Sequence, residues 1–124
     1  MLAVVDTGVL VSGVFWRHEP HRILRAWRCG LLTPVISRPI YDEYERVLAE
    51  VKQKEGFAVD VSPWLEGINA AAVFVTPTLL GRSVCRDPKD DKFIEAALAA
   101  GAQILIARDP DLTILPCGSI RRAT

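Results

Sequence analysis

The amino-acid sequence predicts an α/β fold: a four- to five-stranded, mainly parallel sheet with helices on both faces, three layers in all. Three observations lead there. Short apolar runs bounded by turn residues recur along the chain. Between them lie segments whose apolar residues repeat every three to four positions. The runs are continuous rather than alternating apolar and polar, as strands buried on both faces require, and such burial is typical of parallel sheets. The 124 residues suffice for one domain with a real core, and no repeat, low-complexity tract or linker divides residues 1–124.

The first run, Leu2-Ala3-Val4-Val5, reads as a buried strand, followed after Asp6-Thr7-Gly8 by a second apolar stretch. Pro20 then opens a helix to about Cys29, with Ile23, Leu24 and Trp27 on one side and Gly30 as its stop. Residues 32–36 form a second strand. Ser37 can cap the next helix, whose first turn tolerates Pro39 because the N–H that proline lacks would be unpaired there. Ile40, Tyr44, Val47, Leu48 and Val51 give that helix an apolar stripe, and Gly56 closes it. Ser62-Pro63 opens a shorter helix carrying Trp64, Leu65 and Ile68. Val73–Thr76 is the third strand. Asp90-Asp91 starts a helix with Phe93, Ile94, Ala97 and Leu98 on one side and Gly101 at its end, and residues 103–107 are the fourth strand. The tail, 113–124, shows no clear pattern.

Composition narrows the classes. No apolar run approaches the roughly 18 residues of a membrane span, and the amino terminus lacks the basic segment and cleavage site of a signal peptide. Cys29, Cys85 and Cys117 are scattered and odd in number, which points to reduced thiols in the cytoplasm rather than disulfides or structural zinc. His18 and His21 have no Cys or third His nearby to complete a metal site. Net charge is zero, yet residues 1–40 are basic (Arg17, Arg22, Arg25, Arg28, Arg38) and residues 41–66 acidic, a pattern that solvated helix faces also produce.

Acids stand where the apolar pattern does not easily accept them. Asp6 ends the first strand and Asp109 follows the fourth. A buried carboxylate costs several kcal/mol unless it is paired or bound to a metal. In open parallel sheets, sites form beyond the carboxyl ends of the strands. Glu43 lies at the edge of the apolar stripe of its helix, three residues after Ile40. Asp91 lies in a first helical turn, and its i+3 and i+7 partners, Ile94 and Leu98, are expected to face the core. Taken singly, Asp6 could form an Asx-turn, Asp90 or Asp91 an N-cap, Glu43 an exposed helix position and Asp109 a turn before Pro110. Together, the four acids form a set of hard oxygen donors without imidazole or thiolate, suited to Mg²⁺ or Mn²⁺. One or two such ions can activate water and stabilise an in-line phosphoryl displacement. No Ser/His/Asp triad, Gly-rich phosphate loop or dinucleotide fingerprint is present.

These motifs resemble a known family. Val4-Val5-Asp6-Thr7-Gly8-Val9-Leu10-Val11-Ser12 looks like the opening of PIN-domain ribonucleases, and Val35-Ile36-Ser37 through Glu43 and Val47-Leu48 is similar to their second motif. The segment from Cys85 to Ala97, with Asp87-Pro88-Lys89-Asp90-Asp91-Lys92 at its centre, resembles the third motif of bacterial PIN-family toxins from toxin–antitoxin pairs. Ala107-Arg108-Asp109-Pro110-Asp111-Leu112 is similar to the fourth. The resemblance covers residues 2–112 in order.

It implies a Mg²⁺- or Mn²⁺-dependent endoribonuclease, usually a homodimer, held inactive by a cognate antitoxin protein. By position Asp6, Glu43, Asp91 and Asp109 would be the catalytic, metal-binding carboxylates, with Asp90 competing with Asp91. Thr7 and Ser37 would be supporting hydroxyls and Asp111 an extra acid. Arg86, Lys89, Lys92 and Arg108 surround this set as candidate RNA-binding cations, and Arg22, Arg25 and Arg28 share a helix face. Three departures stand out: Gly8 where the family commonly has Asn, Arg108 and Pro110 flanking Asp109, and a short tail that puts the last edge strand or helix in question. They support an alternative, a non-catalytic PIN-like module binding RNA or a protein partner. A receiver-like phosphoacceptor domain is disfavoured, because its acceptor Asp should follow a central strand with a downstream Thr and Lys.

Overall fold

The computed structural model describes residues 1–16, 18–77, 91–102, 104–107 and 121–122, of which 18, 19, 121 and 122 are described by backbone alone. Strand β1 (Leu2–Val5) leads through Asp6 into helix α1 (Thr7–Phe15), and α2 (His18–Arg28) follows. Strand β2 (Thr33–Ile36) precedes the long helix α3 (Arg38–Glu55), then α4 (Ser62–Ala71) and the two-residue strand β3 (Val73–Phe74). Helix α5 (Asp91–Ala100), β4 (Ile104–Ala107) and β5 (Arg121–Arg122) complete the described elements. The strands form one parallel sheet in the order β3-β2-β1-β4-β5, in a three-layer α/β/α arrangement.

β1 is central, paired to β2 with Leu2 opposite Thr33 and to β4 with Val5 opposite Ile106. Period-two alternation divides its side chains between the two faces. Ala3 and Val5 join Ile106 of β4 and Val9 of α1 in a small cluster. Val4 joins Leu105, Ala107, Phe93 and Ile94 in the main core, which extends through Leu48 and Ile68.

The helix termini follow the local chemistry of the sequence. Ser37 caps α3, its Oγ accepting the Ile40 N–H at 3.4 Å, and Gly56 ends that helix with φ +70°, a left-handed conformation that costs a residue without Cβ little. Asp60 accepts the Ser62 N–H at 3.0 Å ahead of α4, and this contact holds its carboxyl below the usual range. The acidic stretch of α3 is a solvated face, where Arg38–Asp42 and Arg46–Glu50 pair at 3.1 Å with mostly exposed side chains.

Four expectations need correction. The apolar stretch after Gly8 is a helix, α1, not an unassigned run. Val73 and Phe74 sit at the sheet edge, 40% and 48% exposed, and β3 is shorter than the expected 73–76. Leu98 is 40% exposed, and the buried positions of α5 are Phe93, Ile94, Ala96 and Ala97; the helix turns its small alanines, not Leu98, to the sheet. The tail does supply an edge strand: Arg121 and Arg122 pair with Ile106 and Ala107.

Candidate active site at the carboxyl end of the sheet

Asp6 is the first residue beyond the central strand. Its N–H donates to the Ile106 carbonyl at 2.9 Å, tying it to the end of β4. Its backbone is extended, and Oδ1 accepts the Val9 N–H at 2.8 Å, which makes Asp6 the N-cap of α1. Only 7% of its surface is exposed. A carboxylate this sheltered is stabilised by the cap hydrogen bond and by the positive end of the α1 dipole.

Thr7, also buried, donates its hydroxyl to Oε2 of Glu43. That bond spans from α1 to α3 and fixes Glu43 beside Asp6. Glu43 Oε1 receives the ammonium of Lys92 at 2.7 Å, with the two side chains only 17% and 16% exposed. Lys92 is the second residue of α5, so the pair draws the amino end of α5 against α3. Asp91, half-buried in the first turn of α5, stands at the same corner.

Tyr44 adds a group that the sequence reading treated only as part of an apolar stripe. Its ring is in the core with 2% exposed, and its hydroxyl donates to the carbonyl of Val5, the residue before Asp6. Burial pushes the phenol far above its ordinary pKa, and the nearby charges of Asp6 and Glu43 push it further the same way. Tyr44 therefore stays protonated and pins the end of β1 to α3. A tyrosine on a buried stripe needs a hydrogen-bond partner for its hydroxyl, and that was the available signal.

The structure thus gathers Asp6, Thr7, Glu43 and Lys92 at one end of the sheet, with Asp91 next to Lys92 in the first turn of α5. Ser37 lies fully buried at the start of α3 as its cap. Lys92, expected among the RNA-contacting cations, is turned onto Glu43. Asp90, Asp109, Asp111, Arg86, Lys89 and Arg108 lie outside the described residues; β4 ends at Ala107, two positions before Asp109. Gly8 leaves room beside the site, for a Cβ there would stand 3.8 Å from Asp6 Oδ1.

Among the described residues no three His, Cys, Asp or Glu side chains gather as a metal-binding group. Two sheltered carboxylates, Asp6 and Glu43, are nonetheless what Mg²⁺ commonly takes from a protein, with substrate phosphate and water completing its shell. The donors are all oxygen, so the residues present fit a hard divalent cation and not a soft one.

Fold and site together define a class: parallel α/β domains with an acidic site beyond the carboxyl ends of the strands. A family model described as PIN domain matches residues 3–111, and the chain belongs to the PIN-domain family. PIN domains are generally nucleases, hydrolases of phosphodiester bonds, and typically use divalent metals. No curated protein and no solved structure matches the chain in the parallel comparisons. No helix among the described residues is long and apolar enough to cross a membrane.

Proposed function

We propose that the chain is a Mg²⁺- or Mn²⁺-dependent endoribonuclease and serves as the toxin of a toxin–antitoxin pair, acting in the cytoplasm as a homodimer restrained by a cognate antitoxin. The observation that carries the catalytic part is the buried Asp6 carboxylate at the end of the central strand, with Glu43 fixed beside it through Thr7. The toxin role, the dimer and the antitoxin rest on the resemblance of the third motif, Cys85 to Ala97.

Asp6 and Glu43 would hold the cation, with Asp91 and, from the sequence, Asp109 completing the set. When bound, such an ion supplies an activated water and offsets the charge that develops on the phosphate. The protein's part is positional. The Val9 N–H aims one oxygen of Asp6, Thr7 aims Glu43, and Tyr44 clamps the strand end that carries Asp6. Preset geometry of this kind lowers the cost of reaching the transition state.

Cleavage of a mixed RNA pool with Mn²⁺ tests this directly. Asp6→Asn and Asp109→Asn proteins should lose at least about a hundredfold in rate, the order expected when a group that stabilises transition-state charge is removed. Either variant cutting RNA at the wild-type rate, with matched metal, would refute the assignment. The second reading, a non-catalytic module, draws support from Gly8 and from the engagement of both Glu43 oxygens by Thr7 and Lys92. A protein that binds RNA or a partner but takes up no Mn²⁺ would favour it. A small antitoxin-like open reading frame immediately upstream would support the toxin role.

A further inference from the structure

We propose that Lys92 is the resident counter-cation of the Glu43 carboxylate, balancing the site while no divalent cation is bound and competing with one for the same oxygen. Lys92 then sets the divalent concentration at which the site fills. This rests on the metal-dependent reading of Asp6 and Glu43.

Four observations converge. The Lys92 Nζ–Glu43 Oε1 contact is 2.7 Å and its side chains are 16% and 17% exposed, whereas the pairs along α3 are exposed by 58% to 79%. Solvent and salt weaken those surface pairs far more than the sheltered one. Second, the charges of Glu43 and Asp6 both act on the buried Tyr44 phenol, so two like charges lie around one buried group and favour a cation beside them. Among the described residues the other contact to Glu43 is the hydroxyl of Thr7, a neutral donor on the other oxygen.

Third, Lys92 lies in the first turn of α5, where the helix dipole disfavours a cation. Helix stability does not explain a lysine at that position; an acidic partner does. Fourth, a lysine is a point charge on a flexible stem rather than a planar fork, and its Nζ already lies 5.3 Å from the centre of the Phe93 ring. An ammonium can leave Glu43 without dismantling the helix that carries it. A divalent cation taking Oε1 and an ammonium on that same oxygen repel, so occupancy by one opposes the other.

The test is Mn²⁺ titration of the full chain without RNA, followed by calorimetry and by the electron paramagnetic resonance signal of free Mn²⁺. Lys92→Met should bind Mn²⁺ at least about tenfold more tightly than wild type, since a charge so near a bound cation is worth that much or more even with strong screening. Lys92→Gln, which keeps a donor toward Glu43 but no charge, should tighten binding as well and serves if the methionine variant misfolds. Lys92→Arg, retaining the charge, should not tighten it. Unchanged or weaker binding by both neutral variants, with wild type binding Mn²⁺ and Asp6→Asn failing to, would overturn the role of Lys92 and leave the metal reading standing. A wild-type protein that takes up no Mn²⁺ would overturn both.

Discussion

Two helical glycines separate close packing from helix propensity, and replacing each by alanine gives opposite outcomes. At Gly13 in α1 an added Cβ would stand 2.7 Å from Leu24 Cδ1, 3.0 Å from Leu24 Cγ and 3.1 Å from the Pro20 carbonyl oxygen. Leu24 is fully buried, so its side chain has nowhere to retreat, and a backbone oxygen cannot rotate away. Overpacking of this kind costs about 1–3 kcal/mol, against a gain of about 1 kcal/mol from replacing glycine by alanine in a helix. The net loss is roughly 0–2 kcal/mol, largest where the clash dominates. Gly67 in α4 has nothing among the described residues within 4 Å of its Cβ position, so Gly67→Ala keeps the propensity gain alone. Unfolding entropies near 2.1 cal/mol/K per residue give about 4 °C per kcal/mol for a chain of this size. Thermal melts followed by circular dichroism should therefore show Gly13→Ala below wild type by up to about 8 °C and Gly67→Ala about 2–4 °C above it. The same substitution in a Leu24→Ala background should cost less, because the obstructing methyls are gone. Gly13→Ala melting as high as Gly67→Ala would refute the close approach of α1 to α2.

Two further predictions concern the site. Tyr44→Phe removes the hydroxyl from the Val5 carbonyl and should cost about 1 kcal/mol, the usual worth of one hydrogen bond, read from urea unfolding midpoints. Because the folded phenol's pKa is raised, its contribution is complete below the ordinary phenol value of about 10 and is lost as pH rises beyond it; wild type should lose its advantage over Tyr44→Phe only in strong alkali, and an advantage lost by pH 8 would contradict the burial argument. Gly8→Asn has space for its Cβ beside Asp6 and should fold at least as stably as wild type, with RNA cleavage raised about fivefold, the value of one added hydrogen bond. A loss of cleavage in a fully folded variant would show instead that the open space at Gly8 is needed.

What the sequence disclosed depended on how one-sided each element's environment is. Helix α3 was legible because its stripe faces one way, its serine cap precedes a proline, and Gly56 follows its last turn. Helix α1 was not, because Thr7, Val9, Leu10, Val11, Gly13, Val14 and Phe15 are all buried, and a helix covered on nearly every side leaves no polar face to mark its period. β3 read as a buried strand because its residues are apolar, but nothing in four residues tells an edge from a centre. Leu98 misled for a related reason: periodicity assigns positions to a face, while the close approach of α5 to the sheet favours its alanines. At the site, Asp6 stood out as a charge at the end of an apolar run, and Glu43 by its place at the edge of the apolar stripe of its helix. Tyr44 and the resting partner of Lys92 did not, since both depend on which oxygen each side chain meets across the fold.

Asp6 does two jobs that a careless substitution would confuse. As the N-cap of α1 it accepts the Val9 N–H, and as a buried carboxylate it supplies the charge on which the nuclease reading depends. Alanine removes both and should cost about 1 kcal/mol in capping alone, so a dead Asp6→Ala protein could merely be a frayed one. Asparagine is as good a cap as aspartate and presents the same oxygen to Val9 without the charge. Asp6→Asn should then melt at or above the wild-type temperature, relieved of repulsion from Glu43, while losing both Mn²⁺ binding and cleavage. An Asp6→Asn protein that is markedly destabilised would mean that the charge, not the cap, holds the end of β1 in place, and the loss of cleavage could no longer be read as chemistry.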